Sequence, residues 1–153
     1  MGNLNVLTTS LDKFPLKWRW TEKEYCILPK DELAQITPLE SSSAKKVWDK
    51  TLTFIDKKSD FSANPEMFTV IDTINSTDIE KSSNWLKETI PNSKVIVSWQ
   101  PGTAVLTSTE IFIKYWDEFC YPASDDVTIY PEDESWVLHY WHEEAFCFAR
   151  KIV

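Results

Sequence analysis

A single α+β domain over residues 1–153, with about three to four helices packed on an antiparallel sheet, is the architecture predicted by three features of this sequence. The pattern Thr-x-x-Glu stands ahead of apolar residues at helical spacing three times, at Thr37, Thr77 and Thr107. In that pattern the Thr oxygen takes the amide of the third helical residue and the Glu reaches back to the Thr amide. Runs of β-branched and aromatic residues then fill much of Val95 to Phe148, broken by short polar turns. Finally, 153 residues are enough to bury a core without a metal or disulfide staple.

Near the N-terminus, Leu16, Trp18 and Trp20 alternate with Lys17, Arg19 and Thr21, which predicts a strand over residues 15–21 with one buried face. Leu28 to Leu33 reads as a short helical turn with Pro29 in its first turn, ending near Ile36. Thr37 with Pro38 at the first helical position opens a helix over about 38–56, in which Ala44, Val47, Trp48, Leu52 and Ile55 share a face. Residues 57–68 lack periodicity and read as a surface loop. Thr77 opens a second helix with Ile79, Leu86 and Ile90 on one side and Pro91 past its end.

Val95–Trp99 and Ala104–Leu106 are predicted strands joined by Gln100-Pro101-Gly102-Thr103, which suits a type II turn with Gly102 at positive φ. Thr107 opens a third helix whose Phe112, Tyr115, Trp116 and Phe119 form a core stripe. Val127–Tyr130, Trp136–Trp141 and Ala145–Phe148 complete the strands, the last two forming a hairpin across His142-Glu143-Glu144.

Composition excludes several classes of chemistry. Only Gly2 and Gly102 are present, so no glycine-rich phosphate loop and no nucleophile elbow exists. Cys26, Cys120 and Cys147 are odd in number and widely spaced, which fits buried thiols better than a disulfide framework or a C-x-x-C site. Met1 to Leu11 lacks a basic region followed by an apolar run, and no stretch reaches membrane-spanning length; a cytoplasmic protein with no membrane association is expected.

Charge is distributed unevenly. Residues 110–144 hold ten Asp/Glu and one Lys, a local charge of −9 against −8 for the whole chain, together with nine aromatic residues. An acidic, aromatic stretch of this kind points to a basic protein partner, and it repels the phosphates on which nucleic-acid binding depends. The candidate contact residues are Asp125, Asp126, Glu132, Asp133, Glu134, Trp136, Trp141, His142, Glu143 and Glu144. Trp85 is a further candidate for an exposed interface anchor.

The same residues contain the one cluster with catalytic or metal-binding potential. His139, His142, Glu143 and Glu144, joined by Asp125 and Asp126, would suit a small metal-dependent or carboxylate hydrolase. The spacing opposes it: the two His are three apart on a predicted strand, hence on opposite faces, whereas a helical zinc motif needs them four apart. A solvated turn with one packed His is the plainer reading, and Asp125 suits a structural role holding the turn at Tyr121–Ser124. No catalytic residue, metal or cofactor is expected. A ligand-binding module with an aromatic cleft is the remaining alternative.

Two blocks carry a family resemblance. Trp18-Arg19-Trp20 leading into Asp31 to Leu39 resembles the N-terminal region of a small uncharacterised family of bacterial cytoplasmic proteins. Trp116 to Val127, followed by Trp136 and His142 to Phe146, is similar to the C-terminal signature of immunity proteins of polymorphic, contact-dependent toxin systems. This resemblance implies an α+β protein that neutralises a cognate toxin domain, a basic nuclease fitting the charge, and it supplies no catalytic residues.

Overall fold

The computed structural model describes residues 6–58 and 61–153; the first five residues of the Met1–Leu11 segment, and Ser59–Asp60 of the expected loop, lie outside them. After a 3-10 turn at Leu11–Lys13 come α1 (Trp18–Thr21), β1 (Cys26–Ile27), α2 (Lys30–Leu33), β2 (Thr37–Pro38), α3 (Ser41–Thr53) and β3 (Phe68–Asn75). The chain continues with α4 (Ile79–Thr89), β4 (Lys94–Gln100), β5 (Thr103–Ser108), α5 (Thr109–Lys114), α6 (Trp116–Phe119), β6 (Val127–Pro131), β7 (Trp136–Trp141) and β8 (Ala145–Lys151). Seven of the strands form one antiparallel sheet in the order β2-β5-β4-β6-β7-β8-β3.

The central strands are buried on both faces, which is why β6 and β7 are apolar at nearly every position, and β4 is apolar without a break over Val95, Ile96 and Val97, instead of alternating. One face carries Val95, Val97, Ile129, Leu138 and Phe146 against Trp20, Leu86, Phe112, Trp116 and Phe119 of the shorter helices. The other carries Ile96, Ala104, Tyr130 and Val137 against Ala44 and Val47 of α3, with Phe54 and Phe68 beside them. The α+β expectation holds, as do all five predicted strands between Val95 and Phe148 and the terminal hairpin.

Residues 15–21 are not a strand: Trp18–Thr21 is a helical turn. The alternation misleads because Arg19, assigned to the solvent face, is drawn inside by a buried carboxylate and is only 4% exposed. The three helices near the capping patterns exist but start later than expected. Thr37 and Thr107 are taken into β2 and β5, where β-branched residues fit the pleat, and Pro38 is tolerated because β2 is an edge strand.

Helix α3 then begins at Ser41 with no side-chain cap. Asp78, in place of Thr77, caps α4 by accepting the Lys81 amide at 3.0 Å, and Ser108 caps α5 by accepting the Ile111 amide at 3.1 Å. The expected third helix breaks at Tyr115 into α5 and α6, yet Phe112, Trp116 and Phe119 are all buried as their spacing predicts. Leu52 and Ile79 are 43% and 53% exposed and leave the core faces assigned to them.

The Gln100–Thr103 turn forms, but Gly102 does not take positive φ, so it is not a type II turn. Strand β3 has no counterpart among the sequence expectations. Among the described residues it pairs with β8 alone, carries an irregularity between Val70 and Asp72, and exposes most of its residues, so neither period 2 nor a continuous apolar run marks it.

Candidate partner-binding site

The site is built on a buried ion pair. Asp125 receives Arg19 through both guanidinium ends, Nη1 to Oδ2 at 2.6 Å and Nη2 to Oδ1 at 3.2 Å, with the two residues 4% and 8% exposed. Such forked pairing fixes direction as well as distance. Asp125 Oδ2 also accepts the Tyr121 amide at 2.9 Å, so the carboxylate closes the 121–124 turn as its sequence position suggested. The Phe119 carbonyl accepts from Arg19 Nη1 at 3.2 Å and from Trp99 Nε1 at 2.7 Å, joining α1, α6 and β4 at one point.

Above this pair lies a cluster of rings. The Arg19 guanidinium carbon sits 4.3 Å from the Tyr121 ring centre and 5.1 Å from that of Trp18. Trp18 meets Tyr25 at 4.5 Å and Tyr121 at 5.8 Å, and Tyr25 faces Tyr121 at 6.3 Å with 23° between the planes. Tyr25 is presented by a hairpin in which Glu22 bridges to Cys26 and Thr21 to Ile27; it is 51% exposed and Ile27 is 64% exposed.

Carboxylates fringe the rings. The Tyr121 hydroxyl donates to Glu118 Oε2 at 2.7 Å. Burial, and next that hydrogen bond to Glu118, hold the Tyr121 hydroxyl well above its usual pKa. Burial and then the negative charges of Glu118 and Asp117 push up the Cys26 thiol, so the local field is negative. Glu22 and Glu24 stand exposed on the hairpin.

The terminal hairpin turn joins this surface. The Ala123 amide donates to the His142 carbonyl at 2.7 Å, and Asp126 Oδ1 accepts the His142 amide at 3.0 Å and faces its Nδ1 at 2.9 Å, which places the ring proton on Nδ1. Between the paired residues Trp141 and Ala145 the loop has three residues, with Glu144 at φ 61°, the left-handed position that such hairpin loops require.

The ten residues singled out by charge and aromaticity therefore divide. Asp126, Trp141, His142, Glu143 and Glu144 lie at the Arg19 end of the sheet, with Trp141 half-buried against the His142 ring. Asp125 is consumed by the ion pair and Trp136 is 2% exposed against Phe148, so neither offers a surface contact. Glu132, Asp133 and Glu134 sit at the far end of β6, roughly 20 Å away at ~3.3 Å per residue. There Glu134 pairs with Lys50 and Asp133 accepts from Ser135.

The strand expectation places Trp18 in the core, whereas Tyr25, Tyr121 and Glu118 join it through tertiary contacts that no spacing marks. The available signal was Glu22-Lys23-Glu24 between two aromatics. Trp85 is half-buried, its Nε1 donating to Asp72 Oδ2 at 2.9 Å.

Catalytic readings gain little from the geometry. His139 lies inside on β7, 1% exposed, with Nδ1 3.1 Å from Thr128 Oγ1 and Phe61 edge-on at 4.9 Å. Burial lowers its pKa to about 4, the Phe54 carbonyl offsetting this only in part, so it is neutral. The unfolded imidazole binds a proton near 6.5 and the folded one does not, so this contribution to stability is present above about pH 6.5 and is lost as pH falls toward 4. By about pH 4 the loss amounts to about 3 kcal/mol. Unfolding midpoints measured from pH 7 to 4 should fall for the wild type and fall less steeply for His139→Gln.

Among the described residues no group of three His, Cys, Asp or Glu is placed to hold a metal ion, and no hydroxyl or thiol hydrogen-bonds to His142 Nε2. A cleft of about 490 Å³ opens between Val6, Gln35, Thr37, Ile96, Leu106 and Glu132, away from the ring cluster. No helix of the described residues is long and apolar enough to cross a membrane. Comparison with family models, with curated proteins and with solved structures gave no match.

Proposed function

We propose that this chain is a non-enzymatic immunity protein of the bacterial cytoplasm, which captures a cognate basic toxin domain, such as a nuclease, through the acidic and aromatic end of its sheet. One observation carries the reading: Trp18, Tyr25 and Tyr121 form a half-exposed ring cluster on a rigid buried ion pair, fringed by Glu22, Glu24, Asp117 and Glu118. Aromatic anchors on a fixed base supply slow dissociation at small entropic cost, and surrounding carboxylates steer a basic partner. A domain that binds nucleic-acid phosphates carries the complementary charge.

The test uses the protein encoded by the adjoining reading frame, as toxin and immunity genes are paired. Glu22→Lys, Glu24→Lys and Glu143→Lys together should lower its association rate at least about tenfold at low salt and flatten the salt dependence. Glu132→Lys with Asp133→Lys, at the far end of the sheet, should have a smaller effect. An unchanged rate in the triple variant overturns the proposal.

A further inference from the structure

Building on that binding reading, we infer that Trp18, Tyr25 and Tyr121 form a guanidinium-docking site, where an arginine of the partner stacks on the exposed face of Tyr25 and pairs with the Glu118 carboxylate. The rings already hold one guanidinium from the protein side, Arg19, at 4.3 Å from Tyr121 and 5.1 Å from Trp18. Its charge is matched by the forked contact with Asp125, so a second cation meets no uncompensated positive centre.

Toward solvent the site is open, with Tyr25 51% and Ile27 64% exposed. Ile27 offers apolar surface to the arginine methylenes. Glu118 accepts the Tyr121 hydroxyl at Oε2, which fixes the carboxylate beside the ring, and the residue stays partly exposed, so that a donor from outside can reach it. Burial first, and then the charges of Glu118 and Asp117, hold the Cys26 thiol above its usual range, which places both carboxylates close to the hairpin. A planar, weakly hydrated guanidinium stacks on such a surface better than a compact, strongly hydrated ammonium does.

The test needs no toxin. The full-length protein, isotope-labelled, is titrated with capped Gly-Arg-Gly, with the lysine peptide and with the neutral citrulline isostere, while amide and ring resonances are followed. The arginine peptide should shift Tyr25, Ile27 and Tyr121 saturably, at least about threefold more tightly than lysine, and citrulline should have no effect.

Tyr25→Ala and Glu118→Gln should each weaken binding at least about threefold, and Glu132→Gln should not. Tyr25 is a solvent-facing hairpin residue, so its truncation leaves the fold intact as a readout. Citrulline binding equal to arginine, lysine binding equal to arginine, no saturable shift, or shifts centred on residues 132–134 would each overturn the inference. Should the arginine peptide dock while the neighbouring toxin does not bind, the docking site stands and the immunity reading fails.

Discussion

Arg19→Leu should destabilise the fold by about 3–5 kcal/mol, because it strands a buried carboxylate without its counter-charge. Asp125 is 8% exposed, and its remaining partners are the Tyr121 amide at 2.9 Å and the Ser124 hydroxyl at 3.4 Å, neither of which matches a guanidinium. The loss should be visible in urea unfolding at neutral pH. Arg19→Leu combined with Asp125→Leu should recover a large part of it, since removing both charges also removes the desolvation cost. Recovery would be incomplete, because the Tyr121 amide and the Phe119 carbonyl each lose a partner. A single variant within about 1 kcal/mol of wild type would mean that the pair is solvated and does not anchor the 121–125 turn.

Phe119→Ala should cost a similar amount, about 3–5 kcal/mol. The ring is fully buried, stacked on Trp99 at 6.1 Å with 8° between planes and touching Trp20 at 4.9 Å and Phe112 at 5.5 Å. It links the core of the sheet to the α1 turn that carries Trp18 and Arg19. Truncation should therefore lower the unfolding midpoint and also loosen the hairpin at Tyr25, seen as faster amide exchange over residues 20–27. Leu52→Ala, at a site 43% exposed, should change stability by less than about 1 kcal/mol and serves as the contrast.

Elements governed by local pattern were legible in the sequence. The strands from Val95 to Phe148 combine apolar or aromatic runs with turn residues, and Phe112, Trp116 and Phe119 keep helical spacing even across the break at Tyr115. What escaped was decided by partners distant in sequence. Arg19 is inside only because Asp125, 106 residues on, meets it there. Thr37 joins a strand because Leu106 pairs with it, so a capping pattern correct in its residues was spent on a ladder instead. Strand β3 exposes alternate and successive residues alike, since it lies at an edge with one neighbour.

The candidate site shows the same division. The acidic character of residues 110–144 was evident, but its split into two ends follows from β6 running between Asp126 and Glu132. Tyr25 and Trp18 join it through the α1 turn, a tertiary placement that no periodicity records.

In the proposed complex the ring cluster and its carboxylates make the partner contact. Amide hydrogen exchange of this chain, free and in complex with the protein of the adjoining reading frame, tests it most directly. Slowed exchange is expected over residues 18–27, 117–126 and 142–144, with residues 131–136 unchanged. Protection confined to residues 131–136 or to β3, with none at Tyr25 or Tyr121, would contradict it.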